Sequence, residues 1–321
     1  MNYQVTRLNS SSYLTDEFID FEKQTLEKIP NITYIKDLSQ LSKNHQYILI
    51  TNTHTQPEKI PEIILKNTAL IIHPNSGHDN FEIDFLKKYN IPIILGNAIR
   101  THAVAEYILS AILKHFCSIP NHLHWDENRI WNRKLLRDQK IAIIGEGEIG
   151  ALIKNVLKPL CHELKVYDPY KNPQQNLETV VSQCNILILT ASLNKKNQHL
   201  INSEKLKLIA PDALIINASR GKLIQQEDLI HFLKVNKNAF AFLDVFETEP
   251  FNPSLGMDLN NLNKTSHIAG VYKNLSHDII SFEYFVIKNF ILSLGHNKLD
   301  SFLNEFKNNL INSRIHGDFI I

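Results

Sequence analysis

Residues 140–150 read KIAIIGEGEIG. Lys140 to Ile144 is short and mostly apolar, as a buried strand is. Gly145, Gly147 and Gly150 follow at G-x-G-x-x-G spacing, and Ala151–Leu157 continues as a helix. In such a turn the first glycine permits a tight reversal. The second lets backbone amides approach a pyrophosphate, and the third lets helix and strand pack closely. The N–H groups that open the helix then face the phosphates. A glycine turn alone is weak evidence, but KVYD (Lys165–Asp168) reads as the end of a second strand, with Asp168 lying 18 residues beyond Gly150. A carboxylate there accepts from both adenosine ribose hydroxyls and repels a 2′-phosphate, which favours NAD over NADP. The competing reading is an ordinary glycine-rich turn with a surface aspartate.

The regular pattern spreads from this stretch in both directions. Downstream, strands are expected at Leu164–Tyr167, Ile186–Leu189, Leu214–Asn217, Phe240–Val245 and Thr265–Ile268. Helical segments separate the first five strands of the series, among them Ser203–Ile209 and Gln226–Val235. Upstream, Val5–Leu8, Ile32–Ile35, Tyr47–Ile50, Leu70–His73 and Ile91–Leu95 read as strands. Asp16–Lys28, Glu58–Lys66 and Phe81–Tyr89 read as helices between them. Both halves predict an α/β protein with parallel sheets covered on both faces. Gly96–Thr101 reads as a hinge, and Ala103–Phe116 as an apolar helix buried in a core or a subunit interface. Leu275–Leu294 reads as a long helix, with Ile279, Phe282, Phe285, Val286 and Phe290 as its core face.

Composition narrows the function classes. The chain has 321 residues, enough for two domains, and 43% of them are hydrophobic. Lys+Arg (34) and Asp+Glu (33) nearly cancel, so no electrostatic footprint for nucleic acid is expected. No apolar run approaches a membrane span, and MNYQVTRLNSSS has no apolar core of a signal peptide. Cys117, Cys161 and Cys184 fit no metal spacing and read as reduced thiols of a cytoplasmic protein. His122 and His124, with His115 nearby, have no carboxylate or thiol to complete a ligand set, so no metal is expected.

Ligands of open α/β sheets sit beyond the carboxyl ends of the strands. There the sequence places NASRG (Asn217–Gly221), LDVFETEP (Leu243–Pro250) and SHIAG (Ser266–Gly270). Arg220, Glu249 and His267 thus converge above one nucleotide site. A guanidinium can hold a carboxylate and polarise an adjacent carbonyl. An imidazole can protonate an alkoxide, and a carboxylate can orient that imidazole. Singly, each has a structural reading: a cap, a solvated loop acid, a core histidine.

From about Asn75 to Gly270 the chain resembles the D-isomer-specific 2-hydroxyacid dehydrogenases, which include phosphoglycerate, glycerate and D-lactate dehydrogenases. The resemblance rests on NSGHDNFEID, AVAEYIL, IAIIGEGEIG, VYDP, INASRG, LDVFETEP and SHIAG, all in family order. It implies a six-stranded Rossmann-type NAD-binding domain over residues 100–290. It also implies a flavodoxin-like substrate domain over 1–99 and 291–321. The catalytic set would be Arg220, Glu249 and His267. Gly145, Gly147, Glu148, Ile149, Gly150, Asp168, Ala218, Ser219, Asp244 and Gly270 would hold NAD. Ser76 and Gly77 would bind the substrate carboxylate through backbone N–H groups, with Arg220. The substrate would be a small 2-keto or D-2-hydroxy acid in a cleft between the domains, and the protein a homodimer joined through the NAD-binding domain.

Several positions depart from the family pattern. Glu146 and Glu148 put two carboxylates in the phosphate turn, Ser192 replaces a common proline, and the Asn97–Ala105 hinge is short. Ile50–His54 (ITNTH) lacks the arginines of phosphoglycerate-type enzymes, which favours an unphosphorylated keto acid. Two alternatives share the fold: an NAD(H)-sensing binding module resembling the co-repressors, and an enzyme acting on phosphite. A glutamate rather than glutamine at 249 counts against formate.

Overall fold

A computed structural model describes residues 2–9, 15–42, 45–117, 119 and 133–321. The chain forms two compact units, one from Met1–Arg100 with Tyr272–Ile321 and one from Thr101–Val271.

In the first unit β1 (Tyr3–Arg7), β2 (Ile32–Tyr34), β3 (Gln46–Ile50), β4 (Thr68–His73) and β5 (Ile93–Leu95) form a parallel sheet of order β2-β1-β3-β4-β5. That is the flavodoxin-like order, with its reversal between β1 and β3. Helix α1 (Asp16–Leu26) starts at Thr15, whose hydroxyl accepts from Phe18 N–H, and carries Asp16 and Glu17 in its first turn. Helices α2 (Glu62–Lys66) and α3 (Ile83–Tyr89) complete the crossovers.

Helix α4 runs unbroken from Asn97 to Phe116. The hinge expected at Gly96–Thr101 is therefore the first turn of a helix. Nothing in Asn97–Thr101 breaks one, and Gly96, just before it, packs so close to Pro74 that an added Cβ would lie 2.7 Å from its Cα. The apolar face of α4 is filled within its own unit: Val104, Ile108, Ile112 and Phe116 pack with Ile141, Ile143, Ile186 and Ile216.

In the second unit β6 (Lys140–Ile144), β7 (Glu163–Tyr167), β8 (Ile186–Leu189), β9 (Leu214–Asn217), β10 (Phe240–Leu243) and β11 (Leu262–Lys264) form a six-stranded sheet, all parallel, of order β11-β10-β9-β8-β6-β7. The order reverses at β6, which places the glycine turn at the switch point. Helices α5 (Glu148–Leu157), α6 (Leu177–Val181), α7 (Ser203–Leu206) and α8 (Gln226–Val235) cover it. The sixth strand lies at Leu262–Lys264, not Thr265–Ile268, so His267 sits in the turn beyond the sheet.

Helix α9 (Leu275–Gly295) and α10 (Leu299–Glu305) return to the first unit. Val286, Ile287 and Phe290 pack with Tyr3, Val5, Ile48 and Ile72, and for that reason the boundary falls at Tyr272 rather than 291. The buried face of α9 runs Ile279, Glu283, Val286, Phe290, while Phe285, expected in the core, is half exposed. The tail contributes Phe306, Ile311 and Ile320 to the same unit and closes as a hairpin of β12 (Ile315–His316) and β13 (Phe319–Ile320). No helix among the described residues is long and apolar enough to cross a membrane.

Candidate active site

The glycine turn is built by close approach. At Gly145, φ is +97°, and an added Cβ would lie 2.6 Å from Ala191 Cα; at Gly150 it would lie 2.0 Å from Gly145 O. A side chain fits at neither without moving backbone. At Gly147 a Cβ would meet no atom within 4 Å. The middle glycine therefore borders open space, and it caps α5 without any side-chain bond to the first-turn N–H groups. A diphosphate fits that arrangement: donors from Glu148 and Ile149 face room that a side chain would fill. Ile149 also rests its side chain against the core. Thr190, which the motif does not announce, ties the turn down by donating to Gly145 O at 2.8 Å.

The two acidic side chains of the turn are engaged. Glu146 pairs with Lys154 at 2.5 Å, and Lys171 donates to the Glu146 carbonyl. Glu148 accepts from the Thr101 hydroxyl at 3.1 Å. Two lysines beside Glu146 offset its charge, so repulsion of a diphosphate is reduced. Asp168 accepts from Glu146 N–H at 2.9 Å and from the N–H groups of Tyr170 and Lys171, which fixes its carboxylate at the end of β7.

At the end of β9 the organiser is Asn217, 1% exposed. Its amide oxygen accepts from the Ser219 N–H and hydroxyl, and its nitrogen donates to Arg220 O at 2.9 Å. Ala218 packs partly on the core. Arg220 donates to Ser219 O at 2.8 Å. Gly221 then passes so near β10 that a Cβ would meet Phe246 C at 1.9 Å.

Asp244, just past β10, is 1% exposed. Its carboxylate accepts from Thr265 Oγ1 (2.7 Å), Ile268 N–H (2.8 Å) and Ala269 N–H (2.8 Å), and Tyr107 Oη lies 2.7 Å from Thr265 Oγ1. These bonds lift Thr265–Ile268 out of a strand. They hold His267 at φ +56°, a left-handed conformation that a histidine adopts only when its surroundings impose it. Gly270 follows in the same turn.

His267 Nδ1 lies 2.7 Å from Glu249 Oε2. The other Glu249 oxygen accepts from Phe246 N–H at 3.0 Å. Among the described residues His267 Nε2 has no partner, so it is the nitrogen left to meet a ligand. Burial pushes the Glu249 carboxyl up. The hydrogen bond and charge of His267, the Phe246 N–H and the Arg220 charge outweigh burial and hold it below its ordinary value. Arg220, Glu249 and His267 thus act on one another electrostatically.

Ser76 and Gly77 lie in the first unit, in the loop after β4. Among the described residues neither backbone N–H donates to a protein acceptor. Trp125, Trp131, His122 and His124 fall outside the described residues, and the described residues contain no cluster of His, Cys, Asp and Glu able to hold a metal.

Residues 109–269 match the family model described as the D-isomer specific 2-hydroxyacid dehydrogenase NAD-binding domain. The chain is 29% identical over 238 residues to glyoxylate reductase of Pyrococcus furiosus, covering 66% of this chain and 70% of that protein. It is 30% identical over 243 residues to erythronate-4-phosphate dehydrogenase of Blochmanniella floridana, covering 68% of this chain and 60% of that one. In fold it is similar to D-lactate dehydrogenase of Aquifex aeolicus, solved with NAD and lactic acid: TM-score 0.70, 19% identity, 97% of this chain and 99% of the other. The chain belongs to the D-isomer specific 2-hydroxyacid dehydrogenase family and is an NAD-dependent dehydrogenase, with residues 109–269 as its NAD-binding domain.

Proposed function

We propose that this protein interconverts a small, unphosphorylated 2-keto acid and its D-2-hydroxy acid. The observation that carries the reading is the His267–Glu249 pair at 2.7 Å, with Nε2 unengaged among the described residues and Arg220 close enough to act on Glu249. Gly145, Gly147, Gly150, Glu148, Ile149 and Asp168 would hold the diphosphate and adenine ribose. Ala218, Ser219, Asp244 and Gly270 would border the nicotinamide end. Bound in its reduced form, NAD would supply the hydride that the keto carbon receives. Arg220 takes the substrate carboxylate and polarises the keto oxygen, and the N–H groups of Ser76 and Gly77 serve the same carboxylate. His267 Nε2–H delivers the proton to that oxygen, leaving a neutral ring. Glu249 accepts from Nδ1–H, fixing the tautomer and orientation of the ring so that Nε2 faces the substrate oxygen. The reverse oxidation uses neutral His267 as base.

The preference for an unphosphorylated substrate rests on Ile50–His54 (ITNTH), which carries no arginine to pair with a phosphate. Oxidation of NADH should be followed with glyoxylate, pyruvate, hydroxypyruvate, branched keto acids and phosphorylated analogues. Turnover of an unphosphorylated acid is expected. Phosphorylated substrates alone being reduced would overturn the substrate class, and NADH bound without any turnover would overturn the enzyme reading. We also infer a homodimer through the NAD-binding unit, supported by the exposed apolar side chains of Leu113, Val156 and Leu160. Sedimentation at micromolar concentration should give twice the chain mass.

A further inference from the structure

We propose that two buried histidines, His73 and His78, hold the two peptide planes that flank Gly77 and so aim its carboxylate-binding amide, His78 through the plane that carries the Gly77 N–H and His73 through the plane that follows. The assignment rests on the carboxylate role given above to Ser76 and Gly77. His73 is 0% exposed and His78 5%. His73 Nε2 lies 2.8 Å from Gly77 O, and His78 Nδ1 lies 3.0 Å from Ser76 O. A carbonyl only accepts, so each of those ring nitrogens carries the hydrogen. Two consecutive carbonyls of the loop are thus clamped by imidazole donors. Arg100 donates to a third, Pro74 O, and Ser76 Oγ donates to Asn97 O at 3.3 Å.

Peptide planarity turns this clamp into direction. In a trans peptide the N–H points opposite to the C=O of the same unit. Fixing Ser76 O therefore fixes Gly77 N–H on the other side, and fixing Gly77 O fixes the following peptide in the same way. The Ser76 and Gly77 N–H groups donate to no protein acceptor among the described residues. The loop is held by its carbonyls so that its donors are offered elsewhere, the requirement for an anion cradle of backbone amides.

His73 is itself anchored from beneath. Its Nδ1 lies 2.9 Å from Thr51 Oγ1, at the end of β3, and its ring meets Phe81 edge to face at 5.3 Å. Thr51 Oγ1 also donates to Ile72 O at 3.3 Å, so the hydroxyl ties the ring to the backbone of β4. The ring therefore links the end of one strand to the loop that follows the next. A solvated surface histidine would supply no such fixed geometry, whereas a leucine of similar bulk would fill the space and supply no donor.

The test compares wild type with His73→Leu, His73→Gln and Thr51→Val. Each is assayed for steady-state reduction of the best keto acid and for oxamate binding to the NADH-bound enzyme. In His73→Leu, KM and the oxamate Kd should rise about tenfold, with kcat within about threefold and NADH affinity unchanged. His73→Gln keeps a side-chain N–H near the Nε2 position and should recover most of the loss. Thr51→Val removes the Nδ1 partner without touching the ring and should raise KM by about threefold. Should His73→Leu fail to fold, the glutamine and valine variants carry the same comparison. Unchanged KM and oxamate Kd in folded variants, or a fall in kcat alone, would overturn the positioning role. A wild type that binds NADH yet neither reduces keto acids nor binds oxamate overturns the functional reading, and this assignment with it.

Discussion

A methyl group at position 221 would come within 1.9 Å of Phe246 C and 2.0 Å of its oxygen, both backbone atoms of the neighbouring strand's exit. Backbone cannot rotate aside as a side-chain tip can. Gly221→Ala should therefore separate β9 from β10 locally, costing about 1–3 kcal/mol in chemical denaturation and displacing Arg220. A second residue-scale prediction concerns the proton donor. His267→Ala should lower kcat for keto-acid reduction by about 10²–10⁴-fold while NADH fluorescence titration stays unchanged; retained turnover would remove His267 as the acid. Gly145, Gly150 and His267 were legible because spacing and strand ends reveal them. Asn217, Thr190 and Thr265 were not. Each works through a side-chain hydrogen bond that holds a turn in place, and such bonds leave no periodic trace. The left-handed φ of His267 is likewise set by Asp244, 23 residues earlier, and no local pattern encodes it.

At the scale of elements, strands with continuous apolar runs were readable, as in IAII of β6, ILIL of β8 and FAFL of β10, because burial on both faces demands them. Among the described residues β11 is an edge strand paired only with β10, and its residues Leu262, Asn263 and Lys264 are half-buried. An edge needs no apolar run, so the more apolar Thr265–Ile268 drew the assignment instead. What removes that segment from the sheet is Asp244, whose two oxygens receive Thr265, Ile268 and Ala269. Asp244→Asn exchanges one acceptor oxygen for an NH₂ group facing donors in a site that is 1% exposed. Stability should fall by about 1–3 kcal/mol. The 266–270 turn should loosen, read as faster amide hydrogen exchange at Ile268 and Ala269 together with a lower kcat. Unaltered exchange at those two amides would show that the turn holds itself.

At the scale of the molecule, the first unit is assembled from segments nearly the whole chain apart, and a buried ionic cluster joins them. Arg7 of β1 pairs with Glu22 of α1 and, at 2.5 Å, with Glu283 of α9, while Tyr34 donates to Glu22. The Arg7 side chain is 5% exposed and both glutamates 0%. Nothing in the sequence of α9 marks a glutamate for the core face, since hydrophobic periodicity passes over it. One guanidinium cannot balance two buried carboxylates. Burial first, and then the neighbouring Glu22, raise the Glu283 carboxyl well above its ordinary range, with Arg7 opposing. A carboxyl raised in the folded state binds its proton more tightly there than in the unfolded chain. Its contribution to stability is therefore complete below the unfolded value near 4.5 and is lost as pH rises toward the folded one. Glutamine has the shape of the protonated acid and does not titrate. The stability difference between Glu283→Gln and wild type should accordingly move in favour of the variant from pH 4 to pH 8, measured by thermal unfolding of the two proteins side by side. Arg7→Leu should do the opposite and cost about 3–5 kcal/mol, because it strands Glu22 and Glu283 without a cation. A pH-independent difference for Glu283→Gln would mean that the folded protein holds the Glu283 proton no more tightly than the unfolded chain does, and a retained proton would then be no part of the cluster.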